Sequence, residues 1–312
     1  MDERVTKANT MLIEEIKRFS NEIDSKLYFD YDLKKSNWFN IGGKTKVYFK
    51  PDSLSDLILF LKKFATNQKI YILGAGSNTL VSDGTFDGIV IKLGKNFSNI
   101  SLLDNDIIVA GSACTDKKLS DFALDKGLSG FEFLACIPGT IGGGLKMNAG
   151  CFDKEFKDIL ISIQAINRLG RVITMPADKV LFEYRNNNLS DDLIFLSASF
   201  KGEKKDPKII KKEVLELRNK KDSTQPTKIK TSGSTFKNPI NQTNKKVWEL
   251  IKQSVPLDTS FGDACISSKH CNFFVNKNNA SFSDMNRLIE FVRDSVERET
   301  GIKLEKEIKI LE

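Results

Sequence analysis

Apolar and polar positions alternate along the chain with two different periods. From residue 8 to 20, ANTMLIEEIKRFS sets Met11, Leu12, Ile16 and Phe19 near one helical face with charged residues between them. That spacing predicts an amphipathic N-terminal helix covering a sheet edge. Over 53–65, SLSDLILFLKKFA holds Leu54, Leu57, Ile58, Leu61 and Ala65 at helical spacing, and Ser53 with Asp56 forms a capping pattern. A third helix is predicted over 115–127, with Leu119, Phe122 and Ala123 inward and Gly127 as its stop. The stretch 69–93, KIYILGAGSNTLVSDGTFDGIVIKL, reads as strand, glycine turn and a second strand ending near Leu93. From 158 to 200 the period shortens: DILISIQAI, RVITMP and DLIFLSASF are strand-like runs broken by turn residues. GEKKDPK, 202–208, has the composition of a boundary. Beyond it lie a helix (IIKKEVLELRNKK), a loop (TKIKTSGSTFKNP) and a last helix capped by Ser281 and Asp284 and ended by Gly301.

A length of 312 residues implies two or three modules, and 40% hydrophobic with 29% charged residues describes a folded globular protein. The net charge of +7 is carried by dispersed lysines with clusters at Lys204, Lys205, Lys208, Lys211 and Lys212 and at Arg218, Lys220 and Lys221. A solvated helical face accounts for them, and so would attraction of nucleic acid or of an anionic small molecule. Five cysteines, an odd number without a CxxC pair, write neither a disulfide framework nor a zinc knuckle. The charged N-terminus is unlike a signal peptide, and no apolar run reaches membrane-spanning length, so a cytoplasmic protein is expected. With a single histidine, His270, a multi-histidine metal site is excluded. A structural hydrogen-bonding role suits that residue.

Three glycine clusters remain. GAGSNT, 74–79, has Thr79 where a dinucleotide fingerprint needs its third glycine, and Gly94 where the acidic ribose ligand should stand. The segment after it is not helical, so a Rossmann site is rejected. GGKT, 42–45, has Trp38 in place of the first P-loop glycine, which excludes that motif too. PGTIGGGLKMNAG, 138–150, offers a backbone bare enough for successive amides to face one anion, as a nest holds a pyrophosphate. Tight packing of turns between strands is the competing explanation.

Read in order, SNWFNIGGKT, ILGAGSNTLVSD, GLSGFEFLACIPGTIGGGLKMNAG, FEYRNN, SGSTFKNP, SSKHCNFFVNKNNASFSDM and GIKLEKEIKIL resemble the UDP-N-acetylenolpyruvoylglucosamine reductase (MurB) family from about residue 33 to the C-terminus. The resemblance implies an α+β protein with a two-subdomain, PCMH-like FAD-binding module over 1–205, split near 95. A substrate-binding domain would follow over 206–300, and a C-terminal strand, 301–312, would return toward the flavin. It implies FAD and NADPH as cofactors, a UDP-sugar substrate, neither nucleic acid nor membrane as partner, and a monomer rather than an oligomer. Gly74, Ala75, Gly76, Ser77, Asn78, Pro138, Gly139, Thr140, Gly142, Gly143, Asn148 and Ala149 fall on its cofactor-binding positions.

The family reduces an enolpyruvyl ether to a lactyl ether. Negative charge then builds beside the substrate carboxylate, which calls for donors to an enolate-like oxygen and an acid to protonate carbon. By resemblance, Ser234 is the proton donor, Arg185 stabilises the developing charge and Glu307 donates to the carboxylate. Tyr184 and Asn238 stand at substrate-binding positions, Asn238 being equally suited to capping a turn. Another flavin oxidoreductase of the same superfamily, and a basic nucleic-acid-binding protein, are the rival readings. Cys136 replaces a glycine usual before IPGT, and GCFDKE lacks a glycine common after the loop. Only seven residues separate FKNP from VWELI, which leaves no room for the inserted tyrosine loop and points to the shorter, second type.

Overall fold

The computed structural model describes residues 3–66, 68–227 and 229–312, the side chains of 3–10 excepted. The chain forms two compact units from discontinuous stretches. The first comprises Met1–Tyr31, Thr45–Gly74 and Asp87–Leu215; the second comprises Asp32–Lys44, Ala75–Phe86 and Glu216–Glu312. This differs from the contiguous division at residue 205. Two short N-terminal segments group with the C-terminal part because Lys309–Leu311 pairs in parallel with Thr79–Val81, and because Phe39, Ile41 and Leu80 bury in one core with Leu250, Phe274 and Leu288. Composition marks linkers, but it carries no record of a pairing between residues this far apart.

The first unit contains two sheets. In one, the strands run in the order Lys26–Asp32, Lys44–Lys50, Thr85–Ile91, Ile70–Ile72, the last two parallel. Helices α1 (Glu3–Phe19) and α2 (Leu54–Phe64) pack on it. Ser53 caps α2 by accepting the Asp56 amide, as the sequence predicts, and Leu57, Phe60, Leu61 and Phe64 turn inward to meet Ile16, Phe19, Val47 and Phe49. At roughly 1.5 to 3 kcal/mol for each large apolar side chain removed from water, this cluster outweighs any surface pairing nearby. The Lys17 ammonium stands over the Phe29 ring of the edge strand, so α1 reaches the predicted edge.

The second sheet is antiparallel throughout, in the order Val172–Pro176, Leu160–Ile166, Ile194–Lys201, Ile107–Gly111, Ile100–Leu103. Helix α3 (Asp116–Asp125) and the short α4 (Ile141–Lys146) cover its inner face. Thr115 caps α3 through the Lys118 amide, and Gly127, in the left-handed region at φ +64°, follows its end.

Helix α5 (Pro207–Thr224) leads out of the first unit. In the second unit, α6 (Val247–Ser254) and α7 (Phe282–Thr300) bury Leu250, Ile251, Met285, Leu288, Ile289, Val292 and Val296 in a core beside the small sheet Ser260–Phe261, Ala264–Ile266, Phe274–Asn276. Ser281 and Asp284 form the predicted capping box of α7, and Gly301 at φ +72° ends it. Asp83 adds a second cap by accepting the Phe282 amide at 2.9 Å. Among the described residues, no helix is long and apolar enough to cross a membrane.

Candidate active site

In the first unit the glycine loop lies against a backing strand. The Ile141 amide donates to Cys114 O and the Gly142 amide to Ser112 O, each at 2.9 Å, while the Asp116 amide donates to Gly139 O at 3.3 Å. The packing explanation of the glycines applies at one position at least. A Cβ on Gly144 would stand 2.3 Å from the Phe156 ring, so this glycine serves packing. On Gly143 a Cβ would meet only Thr140 Oγ1, at 3.6 Å. Among the described residues, the amides of Gly139, Thr140 and Gly143 donate to no backbone carbonyl, and Thr140 makes no side-chain cap. Such donors on a bare turn have the chemistry a diphosphate would need.

Just downstream, Asn148 is fully buried and left-handed at φ 41°. Its Nδ2 donates to Glu155 Oε2 (3.0 Å) and Glu183 O (3.1 Å), and its Oδ1 accepts the Lys157 amide (3.2 Å). Its side chain therefore ties the loop to a small hairpin, Phe182–Glu183 with Asn186–Asn187, whose turn is Tyr184 and Arg185. Asn187 fastens the same hairpin to α4 by donating to Leu145 O and Lys146 O. Arg185 adopts φ 56°, an unusual conformation for a residue with a Cβ, and its side chain is only 19% exposed. Its Nη2 donates to Gly150 O at 3.0 Å, its Nη1 is 4.0 Å from Glu155 Oε1, and its guanidinium lies 5.2 Å from the Tyr184 ring centre. Glycine loop, Asn148 and Arg185 thus belong to one framework. Glu155, which no motif singles out, is its hub, because it also pairs with Lys157 at 2.8 Å.

The other loop, 74–78, divides between the units, Gly74 in the first and Ala75 onward in the second. Within the first unit, a Cβ on Gly74 would stand 2.7 Å from Thr140 Oγ1, which brings the start of this loop against the other. Within the second, Gly76 at φ +69° lies so near Ser36 O that a Cβ would reach 2.2 Å. Among the described residues, the amides of Gly74, Ala75, Gly76 and Ser77 also donate to no backbone carbonyl.

The second unit assembles three segments distant in sequence. Ser234 bridges Phe273, the Thr235 amide donates to Asn272 O (2.8 Å), and the Glu307 amide donates to Thr235 O (2.8 Å). Asn78 Nδ2 donates to Glu307 O at 2.9 Å, and Asn78 O accepts the Lys309 amide at 2.9 Å. Asn272 closes both main-chain groups of Phe236 with its side chain. Ser234, Glu307 and Asn78 are therefore held on adjacent backbones, with Ser234 and Glu307 half-buried while neighbouring Glu305 is exposed and pairs with Lys237. Asn238 accepts the Val247 amide at 3.0 Å, so one end of its side chain caps α6. His270 Nδ1 accepts the Asn272 amide, and burial lowers its pKa, in keeping with a structural, neutral imidazole. Four of the five cysteines are buried, and burial pushes the Cys114 thiol up to about 11, far from a reactive thiolate. Among the described residues no cluster of three His, Cys, Asp or Glu could hold a metal.

The two-sheet α+β scaffold with its glycine loop is that of a flavoprotein by the family match: residues 45–176 match the family model described as an FAD binding domain. Residues 225–311 match the UDP-N-acetylenolpyruvoylglucosamine reductase C-terminal domain. The chain is 77% identical over 301 residues to the UDP-N-acetylenolpyruvoylglucosamine reductase of Pelagibacter ubique (strain HTCC1062), covering 96% of this chain and all of that one. It is 45% identical to the protein of that name from Rickettsia conorii (strain ATCC VR-613 / Malish 7), over 90% of this chain and 94% of the relative. The crystal structure of UDP-N-acetylenolpyruvylglucosamine reductase from Thermus caldophilus superposes with a TM-score of 0.78 at 27% identity, covering 92% of this chain and 99% of that one. The chain belongs to the UDP-N-acetylenolpyruvoylglucosamine reductase family.

Proposed function

We infer that the protein is a cytosolic flavoenzyme that reduces the enolpyruvyl ether of a UDP-N-acetylglucosamine derivative to UDP-N-acetylmuramate, a step in peptidoglycan precursor synthesis, with NADPH as reductant. Near-complete coverage by relatives of that name supports the reading. The single observation that carries it at the level of residues is the backbone lattice that sets Ser234 beside the Glu307 segment, two positions far apart in sequence that the reaction asks to cooperate.

FAD would be held in the first unit by the amides of Gly139, Thr140 and Gly143 and by that of Gly74, and would supply the hydride. The chain's own residues perform the rest. Arg185, its guanidinium oriented by Gly150 O and by Tyr184, offers a fixed positive charge for the developing enolate. Because that group is tethered before substrate arrives, little reorganisation is needed as charge builds. Glu307 in its neutral form donates to the substrate carboxylate, and the Ser234 hydroxyl delivers a proton to the adjoining carbon. A serine hydroxyl is a weak acid, so its aim, set by the Phe273 bridge and the left-handed Gly233 before it, is what makes it competent.

The test is spectroscopic. The purified protein should be yellow, bleach with NADPH under anaerobic conditions, and recover its colour when the enolpyruvyl UDP-sugar is added. Protein that stays bleached with that sugar but is reoxidised by a different acceptor would mark another flavin oxidoreductase.

A further inference from the structure

Asp116 occupies the first turn of α3, where a carboxylate normally faces water. Here the side chain turns inward and is 0% exposed, and among the described residues neither carboxyl oxygen has a hydrogen-bond partner. One of them, Oδ2, lies 2.6 Å from the position a Cβ on Gly139 would take. The carboxyl thus presses on the bare α-carbon of the glycine loop from behind, while the same residue's amide holds Gly139 O. An unpartnered buried polar group is costly to the fold and rare, and this one sits against the turn whose amides are unengaged.

We propose that Asp116 is a positioning residue of the glycine loop: a buried carboxyl wedged against Gly139 that fixes the path of the Gly139–Gly143 amides for an incoming diphosphate. The inference rests on the reading of that loop as the FAD cradle. Burial raises the pKa of this carboxyl well above the usual carboxylate range. Charged neighbours are directed elsewhere: Lys117 pairs with Asp121, Lys118 reaches Ser98 O, and Glu132 on the adjoining turn accepts the Gly130 amide. The nearest thiol, Cys114, is itself held neutral by burial. As an uncharged group, Asp116 supports the loop without setting a negative charge behind the amides that receive an anion. A second consequence is steric, because no residue larger than glycine fits at 139 while the carboxyl is in place.

The experiment titrates FAD into flavin-depleted protein, following quenching of flavin fluorescence, for the wild-type chain, Asp116→Asn and Asp116→Ala, with circular dichroism confirming that each is folded. Asp116→Asn, isosteric and neutral, should bind FAD within about twofold of wild type, whereas Asp116→Ala, which removes the wedge, should bind about tenfold more weakly. The infrared spectrum at neutral pH should show the carbonyl stretch of a protonated carboxyl that disappears in both variants. Equal binding by wild type and Asp116→Ala, equal losses in both variants, or an infrared spectrum unchanged by substitution would overturn the proposal. Wild-type protein that takes up no FAD would instead fell the cofactor reading, and the positioning role with it, while the infrared band would still report on the acid.

Discussion

Arg185 and Ser234 make different demands on their surroundings. Arg185 is held by a strained backbone, a carbonyl and a ring, so Arg185→Ala removes a preorganised charge and should cost about 2 to 4 kcal/mol in the oxidation of reduced flavin by substrate. Ser234→Ala should leave reduction of the flavin by NADPH intact and slow that second half-reaction by roughly a hundredfold or more, as loss of a general acid does. Stopped-flow absorbance separates the two half-reactions, and equal slowing of both by Ser234→Ala would exclude the proton-donor role. Asp116 makes a stability prediction with a definite sign. A carboxyl whose pKa is raised in the folded protein binds more protons folded than unfolded, so stability declines as pH rises above the unfolded value of about 4 toward the folded one. Asp116→Asn cannot ionise and should therefore gain stability over wild type progressively across that window, with a constant difference below it. Urea midpoints at several pH values measure this, and a gap that does not widen with pH would show the native carboxyl to be charged.

Most helices were legible because their signals are local, whereas α4, inside the glycine loop, was not. Ser53, Thr115 and Ser281 act within three residues, and Gly127 and Gly301 stop helices by a backbone conformation that glycine alone adopts without strain. The long strands of the antiparallel sheet were legible for the same reason, as runs of Ile, Val and Phe. The extra strand Thr79–Val81 and the hairpin carrying Arg185 were not, since each is two or three residues long and exists only because of a distant partner. Supporting residues such as Glu155, Asn187 and Asn272 escaped notice on the same ground: a polar side chain that binds main-chain groups of another segment has no periodicity to betray it. The glycine loop left two readings open, and substitution separates them. Gly144→Ala would drive a methyl group into the Phe156 ring, and it should destabilise the first unit by about 1 to 3 kcal/mol, whereas Gly143→Ala, whose methyl would meet only Thr140 Oγ1 at an ordinary contact distance, should perturb FAD affinity more than the thermal transition of the flavin-free protein. Melting curves with and without FAD distinguish these outcomes.

For the molecule as a whole, a net charge of +7 admits a nucleic-acid partner as readily as a phosphorylated small molecule, and only the family and the glycine loop separate them. If FAD binds the folded chain alone, a hundredfold excess over its dissociation constant should add about 2.7 kcal/mol and raise the melting temperature measurably. Single-stranded DNA at low salt should leave it unchanged. Asn78 and Glu307, joined by one hydrogen bond, are separated by 229 residues. During synthesis the ribosome must therefore make residues 305–311 before Thr79–Val81 finds its neighbour, and until then Leu80 lacks the strand that completes its surroundings. The segments 32–44 and 75–86 emerge early and must wait, a window in which a chaperone would find exposed apolar chain and in which a stalled or clipped product would never mature.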